Sequence, residues 1–174
     1  KTMQKYLNVH KLDGIVDYRT RNIASINQQH PNQLFKDEDI LSIIEENFEN
    51  KDFAKNFFNI NSRKFTCKAV SKDFLWISFS DFFKEPNGSK DYIEISKNVE
   101  WIFLNEFIYC DDNSADIIRR FISFIDICYR DKTKIKFFFN DFDHEKLYTG
   151  IKLEILWNRC QSRLIEMQTS EYLI

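Results

Sequence analysis

Val99-Glu100-Trp101-Ile102-Phe103-Leu104, the run from Asp112 to about Tyr129, and Ile135-Lys136-Phe137-Phe138-Phe139 are the three stretches whose reading decides the fold. The outer two are nearly continuous apolar runs, the pattern of strands buried on both faces. The middle one repeats apolar residues at helical spacing, through Ile117, Ile118, Phe121, Ile122, Ile125 and Cys128. Opposite them stands a polar row of Arg119, Ser123, Asp126 and Arg130, so an amphipathic helix is predicted, capped by Asp112 or Asn113. Strand, helix and strand in that order imply a right-handed crossover and a parallel strand pair. The fold class that follows is α/β: a single mixed sheet with a βαβ crossover and flanking helices.

Outward from this unit, Phe74–Phe79 reads as a further strand, and residues 56–60 and 64–70 as a hairpin around Asn61-Ser62-Arg63. Pro86-Asn87-Gly88-Ser89 is the plainest turn and leads into a helix over about 89–97. Ile40, Leu41, Ile44 and Phe48 make the stripe of a helix from Asp37 to Asn50, whose first residues, Asp37, Glu38 and Asp39, suit a helix N-terminus. Residues 20–35 are polar and read as a loop, and residues 5–10 alternate as a short strand would. At the far end an amphipathic C-terminal helix is predicted over 154–171, burying Leu156, Cys160, Leu164 and Met167.

The chain has 174 residues, 43% hydrophobic and 16% aromatic with 18 Phe, enough apolar surface for one folded unit and against disorder. A net charge of −2 gives no global attraction to nucleic acid, so no nucleic-acid partner is expected. No run approaches the roughly 18 apolar residues of a membrane-spanning helix, so no transmembrane segment is expected. Cys67, Cys110, Cys128 and Cys160 are widely spaced and read as buried hydrophobes of a reducing compartment. The chain opens on Lys1 and Thr2 rather than Met, which suits a piece of a longer protein.

Cradling a triphosphate takes successive backbone amides curled by glycine, and no Gly-x-x-x-x-Gly-Lys-Ser/Thr occurs; Gly88-Ser89-Lys90 lacks the leading glycine. Two strand ends nevertheless mimic parts of a nucleotide site. Trp101-Ile102-Phe103-Leu104-Asn105-Glu106 puts Asn where such enzymes hold an Mg²⁺-organising acid, and Phe137-Phe138-Phe139-Asn140 ends in a polar residue beside it. They read as a degenerate half-site or as ordinary core strands with polar ends. Asp141, Asp143, His144 and Glu145, with Asp111 and Asp112, are metal-capable, but no metal motif is present and Asp143 suits the cap of a short helix at 144–148. No metal site and no catalytic residue is assigned. Arg159, Arg163 and Glu166 share one face of the last helix; since an exposed pair within a helix is worth only a few tenths of a kcal/mol, that face points to a contact beyond the helix.

Five segments in register resemble the C-terminal part of the ZapE-type AAA+ ATPases, whose eukaryotic relatives are the mitochondrial lactation-elevated ATPases. They are Leu12 to Arg21 with its Asp17-Tyr18-Arg19 core, Ser89-Lys90-Asp91-Tyr92, Arg119-Arg120-Phe121-Ile122 continuing to Asp131, Leu147-Tyr148-Thr149-Gly150, and Ser162 to Leu173. Two strand ends depart from the family pattern, Asn105-Glu106-Phe107 standing for Asp-Val-Pro and Phe139 to Asp143 for Ser-Ala-Glu-Val-Pro. The resemblance implies that residues 1–30 are the tail of an ATPase core and 31–174 a C-terminal α/β region. It further implies a parent using ATP and Mg²⁺ through an N-terminal core missing from this chain, so no cofactor is expected for these residues alone. Arg19, Arg21, Arg119, Arg120 and Arg163 would face that core, its nucleotide or a neighbouring subunit. Implied partners are division-ring proteins in a bacterial cytoplasm, or membrane-complex proteins in mitochondria. The rival reading is a stand-alone, non-catalytic interaction module from a truncated gene.

Overall fold

The computed structural model describes residues 21–25, 33–49 and 54–173. One five-stranded sheet runs in the order β1 (Ala54–Ile60), β2 (Arg63–Val70), β3 (Phe74–Ser78), β4 (Trp101–Asn105), β5 (Lys134–Phe137). The first three strands pair antiparallel, and β3–β4 and β4–β5 pair parallel, so the sheet is mixed as expected. The hairpin turn is tighter than predicted: Asn61 and Ser62, both left-handed at φ 50° and 61°, close it as a two-residue loop.

Parallel register sorts the side chains of β3 to β5 into two sets, because paired residues share a face. Leu75, Ile77, Ile102, Leu104, Ile135 and Phe137 form one. Phe74, Trp76, Ser78, Trp101, Phe103, Asn105, Lys134 and Lys136 form the other. On the second face lies α1 (Asp37–Asn47), whose following residue Phe48 packs on Phe74 and Phe103 with ring centroids 5.0 and 6.0 Å away. On the first lie α2 (Phe79–Lys84) and α4 (Ala115–Arg130), joined to the sheet through Phe107, which contacts Phe79, Phe121 and Phe137. Helix α3 (Ser89–Asn98) packs on α4 through Tyr92 and Phe124, 5.5 Å apart. Being covered by the sheet, α3 and α5 (Glu154–Glu166), α4 buries Phe124 and Ile127 as well as the stripe read from sequence, except Ile117, which is only half-buried.

Several boundaries move for local reasons. Strand β3 stops at Ser78, whose hydroxyl accepts from the Asp81 amide and caps α2, a helix not foreseen. Residues 21–25, expected within a loop, are helical, and Ile23 is buried. The predicted strand ends at 99–104 and 135–139 shift to Trp101–Asn105 and Lys134–Phe137. The C-terminal helix breaks after Glu166 and restarts as α6 (Ser170–Leu173). Thr169 causes that break: its hydroxyl donates back to the Glu166 carbonyl (2.7 Å) and accepts from the Tyr172 amide (3.3 Å). The buried stripe of α5 is Trp157, Cys160 and Leu164, continued by Met167, whereas Leu156, expected inside, is 38% exposed. The strand expected at residues 5–10 lies outside the described residues. All four cysteines are buried and unpaired, and burial pushes the Cys67 thiol up to about 12.

Candidate functional site

The carboxyl ends of parallel strands are where an open α/β sheet places a ligand. Here the chain itself occupies them. Asn140, at φ 53°, forms a two-way amide clamp on Phe35: its Oδ1 accepts from the Phe35 amide and its Nδ2 donates to the Phe35 carbonyl, both at 2.9 Å. Asn105 accepts from Trp76 Nε1 (3.1 Å) and donates to Asp37 Oδ1 (3.2 Å). Lys68 reaches Asp37 Oδ2 at 2.6 Å and also pairs with Glu106, itself left-handed at φ 56°. Burial pulls the Lys68 pKa down, but its bonds to the two carboxylates outweigh this and leave it raised. The strand-end residues Asn105 and Asn140 therefore anchor the Phe35–Asp37 entry to α1. A nucleotide with Mg²⁺ does not fit here, because both amides are engaged and Asp37 is tied to Lys68.

The C-terminal signature closes onto α4. Asp126 receives Arg159 (2.7 Å) and Arg163, while Glu166 accepts from the Tyr129 hydroxyl (2.7 Å). The Arg163 guanidinium lies 5.0 Å from the Tyr129 ring centre, and Tyr129 stacks on Tyr172 at 5.7 Å. Tyr172 donates to the carbonyls of Cys128 (3.2 Å) and Thr133 (3.4 Å), and Gln168 to the carbonyl of Ile135 on β5 (3.4 Å). Gln168 thus occupies one carbonyl on the outer edge of the sheet, where unpaired strand groups can recruit another chain. Acceptance of the Tyr129 proton by Glu166 raises the tyrosine pKa. The contact beyond the helix that the sequence pointed to is consequently made within the chain.

Three further motif segments find structural work. Asp112 does not begin α4; its carboxylate accepts from the Tyr148 hydroxyl and from the amides of Ile151 (3.1 Å) and Lys152 (3.0 Å), which lowers its pKa. Gly150 leaves the room for this, since an added Cβ would sit 2.2 Å from Asp112 Oδ1. Asp91 is buried, accepts from the Gly88 amide (3.0 Å) and pairs with Arg63 of β2 (2.9 Å), tying α3 to the hairpin. Asp143 caps its short turn through the Glu145 amide (3.1 Å), as expected, and its pairing with Lys146 lowers its pKa. Asp111 likewise serves the amide of Asn113 (2.8 Å). Among the described residues no three His, Cys, Asp or Glu side chains group as metal ligands.

Of the five arginines singled out from sequence, Arg119, Arg120 and Arg163 make separate contacts. Arg19 lies outside the described residues, and Arg21 is exposed. Arg119 is exposed and pairs with Asp116 (3.4 Å) one turn away. Arg120 donates to the Phe83 carbonyl (3.1 Å), and Arg163 is held by Asp126. Sequence reasoning missed Asp37, Lys68 and Asp126 as hubs, because their partners are 31 to 68 residues away in the chain and no local spacing signals them.

A family model described as AFG1-like ATPase matches residues 1–174. Lactation elevated protein 1 homolog B of Danio rerio is 23% identical over 139 residues, covering 76% of this chain and 27% of that protein. Cell division protein ZapE of Escherichia coli K12 is 29% identical over 114 residues, covering 66% of this chain and 30% of that protein. The matched parts therefore span about a third or less of those relatives. No solved structure matches.

Proposed function

From its membership of the AFG1-like ATPase family, to which this chain belongs, we propose that these residues are the C-terminal part of a ZapE-like AAA+ ATPase, with ATP bound and hydrolysed by a preceding core. The supporting observation is that both polar strand ends, Asn105 and Asn140, are spent on holding the chain's own Phe35–Asp37 segment. That arrangement suits a region that completes and braces a machine rather than one that captures nucleotide. Its contribution is then rigid surface offered to the core or a neighbouring subunit, with Arg21 and Arg119 exposed for such contacts and Arg163 already engaged within the chain. The settings that go with the reading are cell division in a bacterial cytoplasm, the first part after the name of the Escherichia coli relative, or protein quality control in mitochondria, which rests on the resemblance read from the sequence.

The test compares ATP turnover by the 174-residue chain with turnover by the same reading frame extended through any coding sequence upstream of Lys1. Mg²⁺-dependent hydrolysis should appear only in the extended protein. Hydrolysis by the 174 residues alone, or an extended protein without a phosphate loop or turnover, overturns the proposal.

A further inference from the structure

We propose that the cleft between the β1–β2 turn, the Pro86-Asn87-Gly88 turn and α4 binds a phosphate-class oxyanion, an ability that needs neither a phosphate loop nor Mg²⁺ and goes beyond the reading above. The cleft is open to solvent, with a volume of about 540 Å³, and Arg63, Lys90 and Arg120 line it against a single carboxylate, Asp91. That carboxylate is already satisfied, since Arg63 pairs with it at 2.9 Å, the Gly88 amide donates at 3.0 Å and Asn61 adds a longer bond of 3.4 Å. Cationic charge at the cleft is therefore in excess.

The donors are also unspent. A guanidinium carries five N–H groups. Arg63 uses part of its fork on Asp91 and the Pro86 carbonyl, and Arg120 one nitrogen on the Phe83 carbonyl (3.1 Å), which fixes both forks in place. Lys90 is exposed, and its ammonium makes no ion pair or hydrogen bond among the described residues. Ser89 and Lys90, the first two residues of the ten-residue α3, line the same cleft, and the amides of a helix's first turn have no helical partners. Fixed guanidinium forks and a mobile ammonium around one space match an oxyanion with several acceptor oxygens better than a neutral ligand. Two segments singled out in the sequence, Ser89 to Tyr92 and Arg119 to Ile122, meet here, though they are far apart in the chain.

The test follows backbone amide NMR shifts of the 174-residue chain as inorganic phosphate replaces chloride at constant ionic strength. Phosphate should move the amides of Gly88 to Lys90 and those around Arg120 in a saturable way. Arg120→Gln and Lys90→Gln should each weaken binding about tenfold, the loss of one charge-assisted contact, while Arg119→Gln should leave it unchanged. Lys90→Gln removes no described contact, so it keeps the test valid even if Arg120→Gln unfolds. Parallel titrations with adenosine monophosphate and adenosine separate the sources: tighter binding of the monophosphate assigns the site to a nucleotide phosphate, and equal binding to free phosphate. The proposal is overturned if phosphate moves nothing that chloride does not, if Lys90→Gln binds as the natural chain does, or if adenosine alone moves the same amides.

Discussion

The two faces of the parallel strands are built from different chemistry. Toward α2 and α4, β3 to β5 present only Leu75, Ile77, Ile102, Leu104, Ile135 and Phe137, all nearly or wholly inaccessible. Toward α1 the same strands present Asn105 and Lys136 among aromatics, both 4% exposed, and a Trp101 Nε1 with no partner among the described residues. Asn105 is satisfied by Trp76 and Asp37, whereas Lys136 has no ion pair or hydrogen bond there. One face is a finished hydrocarbon core, and the other carries polar groups that give specificity or cost stability. The first should fail only by losing volume, while the second should respond in both directions.

The largest effect should come from the apolar face. Leu104→Ala removes a wholly buried side chain between α2, α4 and the sheet. It should lower unfolding free energy by about 2–5 kcal/mol, because the aromatic cluster around it cannot collapse into the space. Urea denaturation measures this; a loss below about 1 kcal/mol would mean that the face is less closely packed than its burial shows.

Next, and of opposite sign, is Lys136→Met. Burial alone lowers the Lys136 pKa from 10.5 to about 8, so at neutral pH the folded chain holds an ammonium it would rather not charge. Methionine of similar length should raise stability by about 2–3 kcal/mol at pH 7. The sign with pH is fixed by linkage. Between pH 8 and 10.5 the unfolded chain keeps a proton on this lysine that the folded chain has lost, so this group's contribution to stability rises with pH. Buried thiols act oppositely above pH 9, as the folded state keeps their protons. The informative quantity is therefore the difference between natural chain and Lys136→Met, which should shrink from pH 8 to 10.5 in parallel melts. A constant difference would show that Lys136 is not desolvated.

Much of the apolar face was legible in the sequence, because the α4 stripe carries its burial in its periodicity and Ile102 and Leu104 lie within a continuous apolar run. The other face was not. A continuous apolar run hides which of its residues point to which side, so Lys136 within Ile135 to Phe139 gave no hint of its burial. Asn105 and Asn140 were visible as polar strand ends, open to a degenerate half-site or to ordinary core strands, and nothing local reveals that Phe35 and Asp37 come back over a hundred residues to meet Asn140 and 68 to meet Asn105. For the candidate site, the segments were legible from the family resemblance and their pairing was not: Asp126 finds Arg159 and Arg163 only once α5 has docked on α4.

Asn105→Ala tests the satisfied polar group and should cost about 1–3 kcal/mol, chiefly because the buried Trp76 Nε1 loses its acceptor. The double variant Trp76→Phe, Asn105→Ala should recover part of that loss, since removing both partners leaves no orphaned donor. If the two losses simply add, the bond is not what the amide supplies.

The smallest effect belongs to the seam between α4 and α5, which extends the comparison to polar groups at the surface. Asp126 is 29% exposed and its partners Arg159 and Arg163 are 50% and 26% exposed, so water already screens the network. Asp126→Asn should cost no more than about 1 kcal/mol. Raising salt from 0.05 to about 0.5 M should shrink the difference from the natural chain, because screening shortens to a few ångströms. The Leu104→Ala loss should keep its size under the same change, since it contains no charge. An Asp126→Asn loss that grows to several kcal/mol and ignores salt would show that this carboxylate positions the whole C-terminal segment over the β5 edge.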